Sequence, residues 1–134
     1  HSDNSLVMRL PKEKLVFVVD FAPLESVFFR NIPDNVSPVE YIDSLKKLAA
    51  LEWERMIPGQ PNAGGRFGTK KDIQDDIAYL EDLSAEVKKA ADAGKCMDTA
   101  MKEIKLPKYE KWNNYETGLG ANIERFCYGW GRGY

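Results

Sequence analysis

The chain has 134 residues, 43% of them hydrophobic and 30% charged, which suits one domain and is too short for two ordinary ones. A net charge of −2 gives no basic field for nucleic acid or for an anionic membrane surface. No apolar run approaches the ~18 residues of a spanning helix.

Residues 5–10 (SLVMRL) and 14–19 (KLVFVV) read as two strands joined by a charged turn that Pro11 opens. His1 precedes the first strand and Asp20 closes the second. Both are metal-ligand types, and a hairpin can bring its two strand ends together. Without a metal, Asp20 is a polar residue that stops an apolar run. Residues 27–30 are apolar and β-prone, a brief strand or an apolar loop on the core, and residues 32–36 are turn-like. Ser37, Pro38 and Glu40 spell a helix start, with serine as cap, proline in the first position and glutamate completing a capping box. Val39, Ile42, Leu45 and Ala49 then recur at helical spacing.

Residues 53–57 read as a short strand ending at Pro58-Gly59, and residues 60–68 as a loop. That loop is glycine-rich and precedes a helix, but it lacks the Gly-Lys-Ser/Thr ending of a phosphate-binding loop. The longest helix follows, capped by Thr69 with Asp72 three positions on. Its apolar stripe is Ile73, Ile77, Leu80, Val87 and Ala91, with Ser84 in the middle and Leu83 and Ala90 at the side. Gly94 supplies the stop. Lys70, Lys71, Asp75, Asp76, Glu81, Asp82, Glu86, Lys88 and Lys89 fall on the wet face. Adjacent carboxylates on a helix point about 100° apart, so Asp75 with Asp76, and Glu81 with Asp82, read as surface charges rather than acid–base pairs.

A shorter helix spans 98–104 and buries Ala100, Met101 and Ile104, with Pro107 marking its end. Tyr109, Trp112 and Tyr115 read as a cap over the core, a ligand groove being the alternative. A last helix runs over 119–130 through Leu119, Ile123, Phe126 and Cys127, and the glycine-rich residues 129–134 read as a frayed tail. Cys96 and Cys127 have no CxxC spacing and read as two free buried thiols, a single disulfide being the alternative. A chain beginning with histidine reads as a processed product or as the tail of a longer protein.

The order strand, strand, helix, strand, helices predicts an α/β domain over residues 1–134, a small mixed sheet flanked by helices. Residues 15–19 are apolar on both faces, as in a strand covered on both sides. Helices with one apolar stripe each cover one face, so the other needs the last helices or another chain. A serine or cysteine triad needs a histidine beside its nucleophile, and His1 is the only one in the chain.

Three motifs in order resemble the C-terminal half of the metallo-β-lactamase superfamily. His1-Ser2-Asp3-Asn4-Ser5-Leu6 is similar to its histidine-threonine/serine turn opening a strand. Val16-Phe17-Val18-Val19-Asp20 is similar to its strand ending in glycine-aspartate, and Met56-Ile57-Pro58-Gly59-Gln60-Pro61 to its strand ending in proline-glycine-histidine-glycine. The helix from Thr69 and residues 104–109 are similar to the tail of bacterial hydrolase-like members. The resemblance implies half of a four-layer αββα sandwich, with metal ligands at His1, Asp20 and position 60.

Here Val19 replaces the usual glycine, Gln60 stands where the family has histidine, and the His-x-His-x-Asp-His motif of the first half is absent. Glutamine offers a neutral amide oxygen in place of an imidazole nitrogen, and a catalytic zinc commonly takes about three protein ligands plus water. The resemblance therefore implies a truncated or degenerate member that does not hydrolyse on its own and holds no metal or a weakly bound zinc. It also implies a homodimer that imitates the full sandwich. Alternatives are a fragment of a metal-dependent hydrolase whose N-terminal half is a complementing half-domain, and an unrelated α/β binding module.

Overall fold

The computed structural model describes residues 6–28, 37–59 and 65–132. Its three short strands are β1 (Val7–Leu10), β2 (Leu15–Val18) and β3 (Arg55–Pro58), ordered β1-β2-β3 with β1 antiparallel and β3 parallel to β2. The β1–β2 turn closes with the Lys14 N–H donating to the Pro11 carbonyl at 3.2 Å, Lys14 itself adopting φ +50°. A parallel neighbour needs a crossover connection, and α1 (Pro38–Ala50) lies in it. The remaining elements are α2 (Lys70–Asp92), α3 (Asp98–Glu103), a 3₁₀ turn at Pro107–Tyr109 and α4 (Tyr115–Arg132). The α/β class and the small mixed sheet are as expected.

α1 starts where the sequence places it, but the Ser37 side chain makes no capping bond. The expected capping box is absent, and Ser37 contributes only its carbonyl, which accepts from the Tyr41 N–H at 3.0 Å. Pro38 has already removed one of the orphan donors a cap would serve. The buried stripe is also rotated: Tyr41, Ile42, Leu45 and Leu48 face inward, while Val39 is 51% exposed. Tyr41 wins the inward position because its ring buries more area and its hydroxyl finds the Phe21 carbonyl at 2.7 Å. At the other end of α1, the Lys70 ammonium donates to the Ala49 and Leu51 carbonyls and lies 4.3 Å over the Trp53 ring. This basic group at a helix C-terminus ties α1 to the start of α2.

α2 has the expected capping box. The Thr69 N–H donates to Asp72 Oδ2 at 2.7 Å and the Asp72 N–H donates to Thr69 Oγ1 at 3.4 Å. Ile73, Leu80, Leu83 and Val87 are buried as predicted, whereas Ile77 is only half-buried. Asp72, Asp76 and Tyr79 are buried too, because α2 packs against both α1 and α4 and so hides a wider arc than one stripe. Reading Asp76 as a surface charge was wrong: it is 1% exposed.

The core joins Val16, Val18 and Met56 from one sheet face to Leu24, Leu45, Leu48, Ile73, Leu80 and Ile123. Val27 and Phe28 belong to it as an apolar loop, not a strand, while Phe29 and Arg30 lie outside the described residues. Tyr109, Trp112 and Tyr115 close the core, with Tyr79 5.1 Å from Tyr109 and 5.6 Å from Trp112, ring to ring.

Cys96 and Cys127 are not free thiols; they are bonded, with Cα atoms 5.5 Å apart. Left-handed residues at Gly94 (φ +68°) and Met97 (φ +66°) turn the chain after α2 back onto α4 and bring the two sulfurs together. α4 starts at Tyr115, a turn earlier than expected, and continues through Gly129 and Gly131 instead of fraying. Trp130 holds that end by donating its indole N–H to Ser84 Oγ at 3.1 Å. Gly118 lets α4 approach the 27–28 loop closely; a Cβ there would stand 3.2 Å from Val27 Cγ1 and 3.3 Å from the Phe28 carbonyl.

Among the described residues, no helix covers the second sheet face. Met8, Leu10, Leu15, Phe17 and Ile57 share it by register, as do Leu6 and Val19 by alternation. Leu6 is 78%, Met8 57% and Val19 49% exposed, and Phe17 and Leu15 are half-buried. The last helices do not wrap around to cover it.

Candidate functional site

Because β2 and β3 run parallel, their carboxyl ends lie side by side at Val18 and Pro58. Ligands of open α/β sheets sit just beyond such ends. Asp20 follows β2 there, half-buried and held at φ +26° by a tight turn from the Phe21 N–H to the Val19 carbonyl. Gly59 follows β3 and is pressed against it. A Cβ on Gly59 would stand 2.6 Å from the Asp20 nitrogen and 2.7 Å from its Oδ1, so no other residue fits without moving one strand end. The structure thus brings Asp20 beside the start of the loop that carries Gln60. Gln60 itself lies outside the described residues, as does His1.

The far end of the 59–68 loop is also pinned. Gly68 and Met56 exchange backbone hydrogen bonds of 2.8 and 2.9 Å, and a Cβ on Gly68 would meet Met56 Cε at 2.6 Å. Next to it, the Arg66 guanidinium donates to both Asp72 oxygens, to Glu25 Oε1 at 3.1 Å and to the Phe67 carbonyl at 3.0 Å. Burial opposes ionisation of Asp72, yet the bonds from Arg66 and from the Thr69 hydroxyl and N–H outweigh it and hold its pKa at about 2. One carboxylate therefore caps α2 and anchors the loop.

Beneath the strand ends lies Tyr41, whose hydroxyl donates to the Phe21 carbonyl. Burial, then the carboxylates of Asp76 and Asp20, push its pKa upward. Asp76 is the group the sequence reading missed. Burial, then the charges of Asp72 and Asp75, raise its pKa well above the ordinary carboxylate value, and its Oδ2 has no hydrogen-bond partner among the described residues. Its period on α2 (Asp72, Asp76, Tyr79, Leu83) was the available signal, but a run of charged neighbours hid it.

Among the described residues, no group of three or more His, Cys, Asp and Glu side chains could hold a metal ion. Asp20 alone does not meet the roughly three-ligand requirement of a catalytic zinc. A shallow groove of about 280 Å³ lies elsewhere, between α2 and residues 105–109. Three of its polar groups pair with one another: the Tyr109 hydroxyl donates to Asp82 Oδ2 at 2.6 Å and Lys108 reaches the same oxygen at 3.1 Å.

None of the described helices is long and apolar enough to cross a membrane. No protein-family model matches the chain, and no curated protein matches it.

Proposed function

We propose that this chain is a truncated or degenerate half of a metallo-β-lactamase-like αββα sandwich, silent as a hydrolase on its own, which associates with a second copy through its open sheet face. The open face carries this reading. In a sandwich, each sheet has helices on one side and a second sheet on the other, and here the first side is filled while the second offers Leu6, Met8, Leu10, Phe17 and Val19 to water. A second copy presents the same apolar rows, and a two-fold interface matches a patch to itself. The charged group on this face, Arg55, lies over the Phe67 ring at 5.3 Å. Asp20 is then one vestigial ligand, with His1 and Gln60 as the other two family positions and no zinc, or a weakly bound one, held by each copy.

Mass in solution together with metal analysis tests this. The expected result is a metal-poor dimer, which Met8→Lys converts to a folded monomer whose melting temperature no longer depends on concentration. A monomer carrying stoichiometric zinc and hydrolysing a β-lactam or an ester would overturn it.

A second reading has its own support. Asp20 at the carboxyl ends of two parallel strands, with Gly59 forced against it, is the position a fragment of a metal-dependent hydrolase would keep for ligands supplied by its N-terminal half. Mixing the chain with a metallo-β-lactamase-type N-terminal half would then restore zinc binding, and Asp20→Asn would abolish it.

A further inference from the structure

α3 is the most weakly anchored of the described helices, with Met97 and Met101 only partly buried against the core. It has six residues, of which only Ala100 is buried, and helices this short do not persist by themselves. Its N-cap, Met97, lies at φ +66° and supplies no side-chain cap. The Lys95–Glu103 ion pair across it is 3.6 Å long and exposed, so it contributes little. The elements on either side are held independently. α2 ends on its own carbonyls, with Ala93, Gly94 and Lys95 N–H groups donating to Lys89, Ala91 and Ala90. α4 is seated by Leu119, Ile123 and Phe126. The chain is anchored again at Ile104 and at Leu106, whose N–H donates to the Tyr115 hydroxyl at 2.9 Å.

We propose that the Cys96–Cys127 disulfide is a reducible latch that holds α3 on α4, so that a dithiol reductant frees residues 95–103 while the rest of the fold stays in place. Cys96 is half-buried on the outer turn and Cys127 is buried on α4, which directs an incoming thiolate to the Cys96 sulfur. The S–S bond breaks and Cys127 departs as a thiolate. The Met97 N–H, 3.3 Å from Cys127 Sγ, donates to the sulfur on which that charge develops. The second thiolate of the reductant then attacks its own sulfur in the mixed disulfide and expels Cys96. Two electrons pass from the dithiol to the protein, both cysteines take protons from water, and the reductant ends as a disulfide. This latch uses neither the open sheet face nor Asp20, and so stands apart from the function proposed above.

Limited trypsin digestion in the presence and absence of dithiothreitol tests it, because Lys95 and Lys102 lie in the stretch to be freed. Cleavage there is expected to accelerate at least about tenfold on reduction, with the far-UV helical signal retained, and the Cys96→Ser/Cys127→Ser protein is expected to be cut without reductant. Three results would each overturn the proposal. They are alkylation of both cysteines in the unreduced protein, unchanged cleavage after reduction, and collapse of the whole helical signal.

Discussion

Asp76 gives this protein a stability that falls as pH rises. Its carboxyl is 1% exposed with one oxygen unpartnered among the described residues, and burial first, then the neighbouring Asp72 and Asp75, keep it protonated in the folded chain well above the ordinary carboxylate range. In the unfolded chain the same group ionises near the ordinary value of about 4. Between that value and the folded one, the native state holds a proton that the unfolded state has released. The stability that Asp76 contributes is therefore full below about pH 4 and declines with rising pH until the folded group has ionised. Between the unfolded and the folded value the slope is about 1.4 kcal/mol per pH unit. Asp72 does not mask the effect. Its folded pKa of about 2 makes its own contribution complete above about pH 4, to be lost only as pH drops toward 2. Asp76→Asn keeps the shape and removes the titration. Urea unfolding of both proteins followed by circular dichroism from pH 4 upward should show the unsubstituted protein losing stability relative to Asp76→Asn as pH rises, by up to about 1.4 kcal/mol per unit. Parallel curves for the two proteins would refute the buried, protonated Asp76.

Three other substitutions follow from named contacts. Gly59→Ala forces a Cβ to within 2.6 Å of the Asp20 nitrogen and should cost about 1–3 kcal/mol in urea unfolding, as overpacking does. Arg66→Ala strips the two Asp72 oxygens of their guanidinium; it should destabilise by about 2 kcal/mol and move the Asp72 titration, followed by carboxyl NMR, upward from about 2. Asn122→Leu orphans the Phe28 carbonyl and the Tyr79 hydroxyl, both now bonded to the Asn122 side-chain amide. It should lower stability by about 2–3 kcal/mol, measured as a shift in the urea midpoint.

Features written in local chemistry were legible from the residues. The Thr69–Asp72 cap, the Pro58-Gly59 ending of β3, the hairpin turn at Pro11 and the run of strand and helix types depend on neighbours a few positions apart, and each appears where its residues place it. What escaped depends on which elements meet. Asp76 sits among charges on its own helix, and only the approach of α1 on one side and α4 on the other makes that arc an interior. Tyr41 displaces Val39 because the Phe21 carbonyl, twenty positions away, lies within reach of its hydroxyl. Cys96 and Cys127 carry no spacing signal; the two left-handed residues after α2 fold their chain segments together. Of the three candidate ligand positions, the parallel pairing of β2 and β3 accounts for Asp20 and for the approach of Gly59, while His1 and Gln60 lie outside the described residues.

The pattern of β2 connects the site to the open face. Val16 and Val18 point into the helical core, and Leu15 and Phe17 point the other way, toward the row of Met8, Leu10 and Ile57. A strand meant for water on that side would alternate apolar with polar residues; this one stays apolar on both faces up to Val19 and then stops at Asp20. The carboxylate therefore stands at the rim of the exposed apolar surface, where any second sheet laid on it would end. An acid placed there adds little to a sheet facing solvent. At the seam of two layers it faces whatever donors the second layer brings, and the number of ligands around it depends on that layer. On the proposed sandwich reading, the open face and the incomplete ligand set would both follow from a missing second layer, seen from the side of the sheet and from the end of its strands.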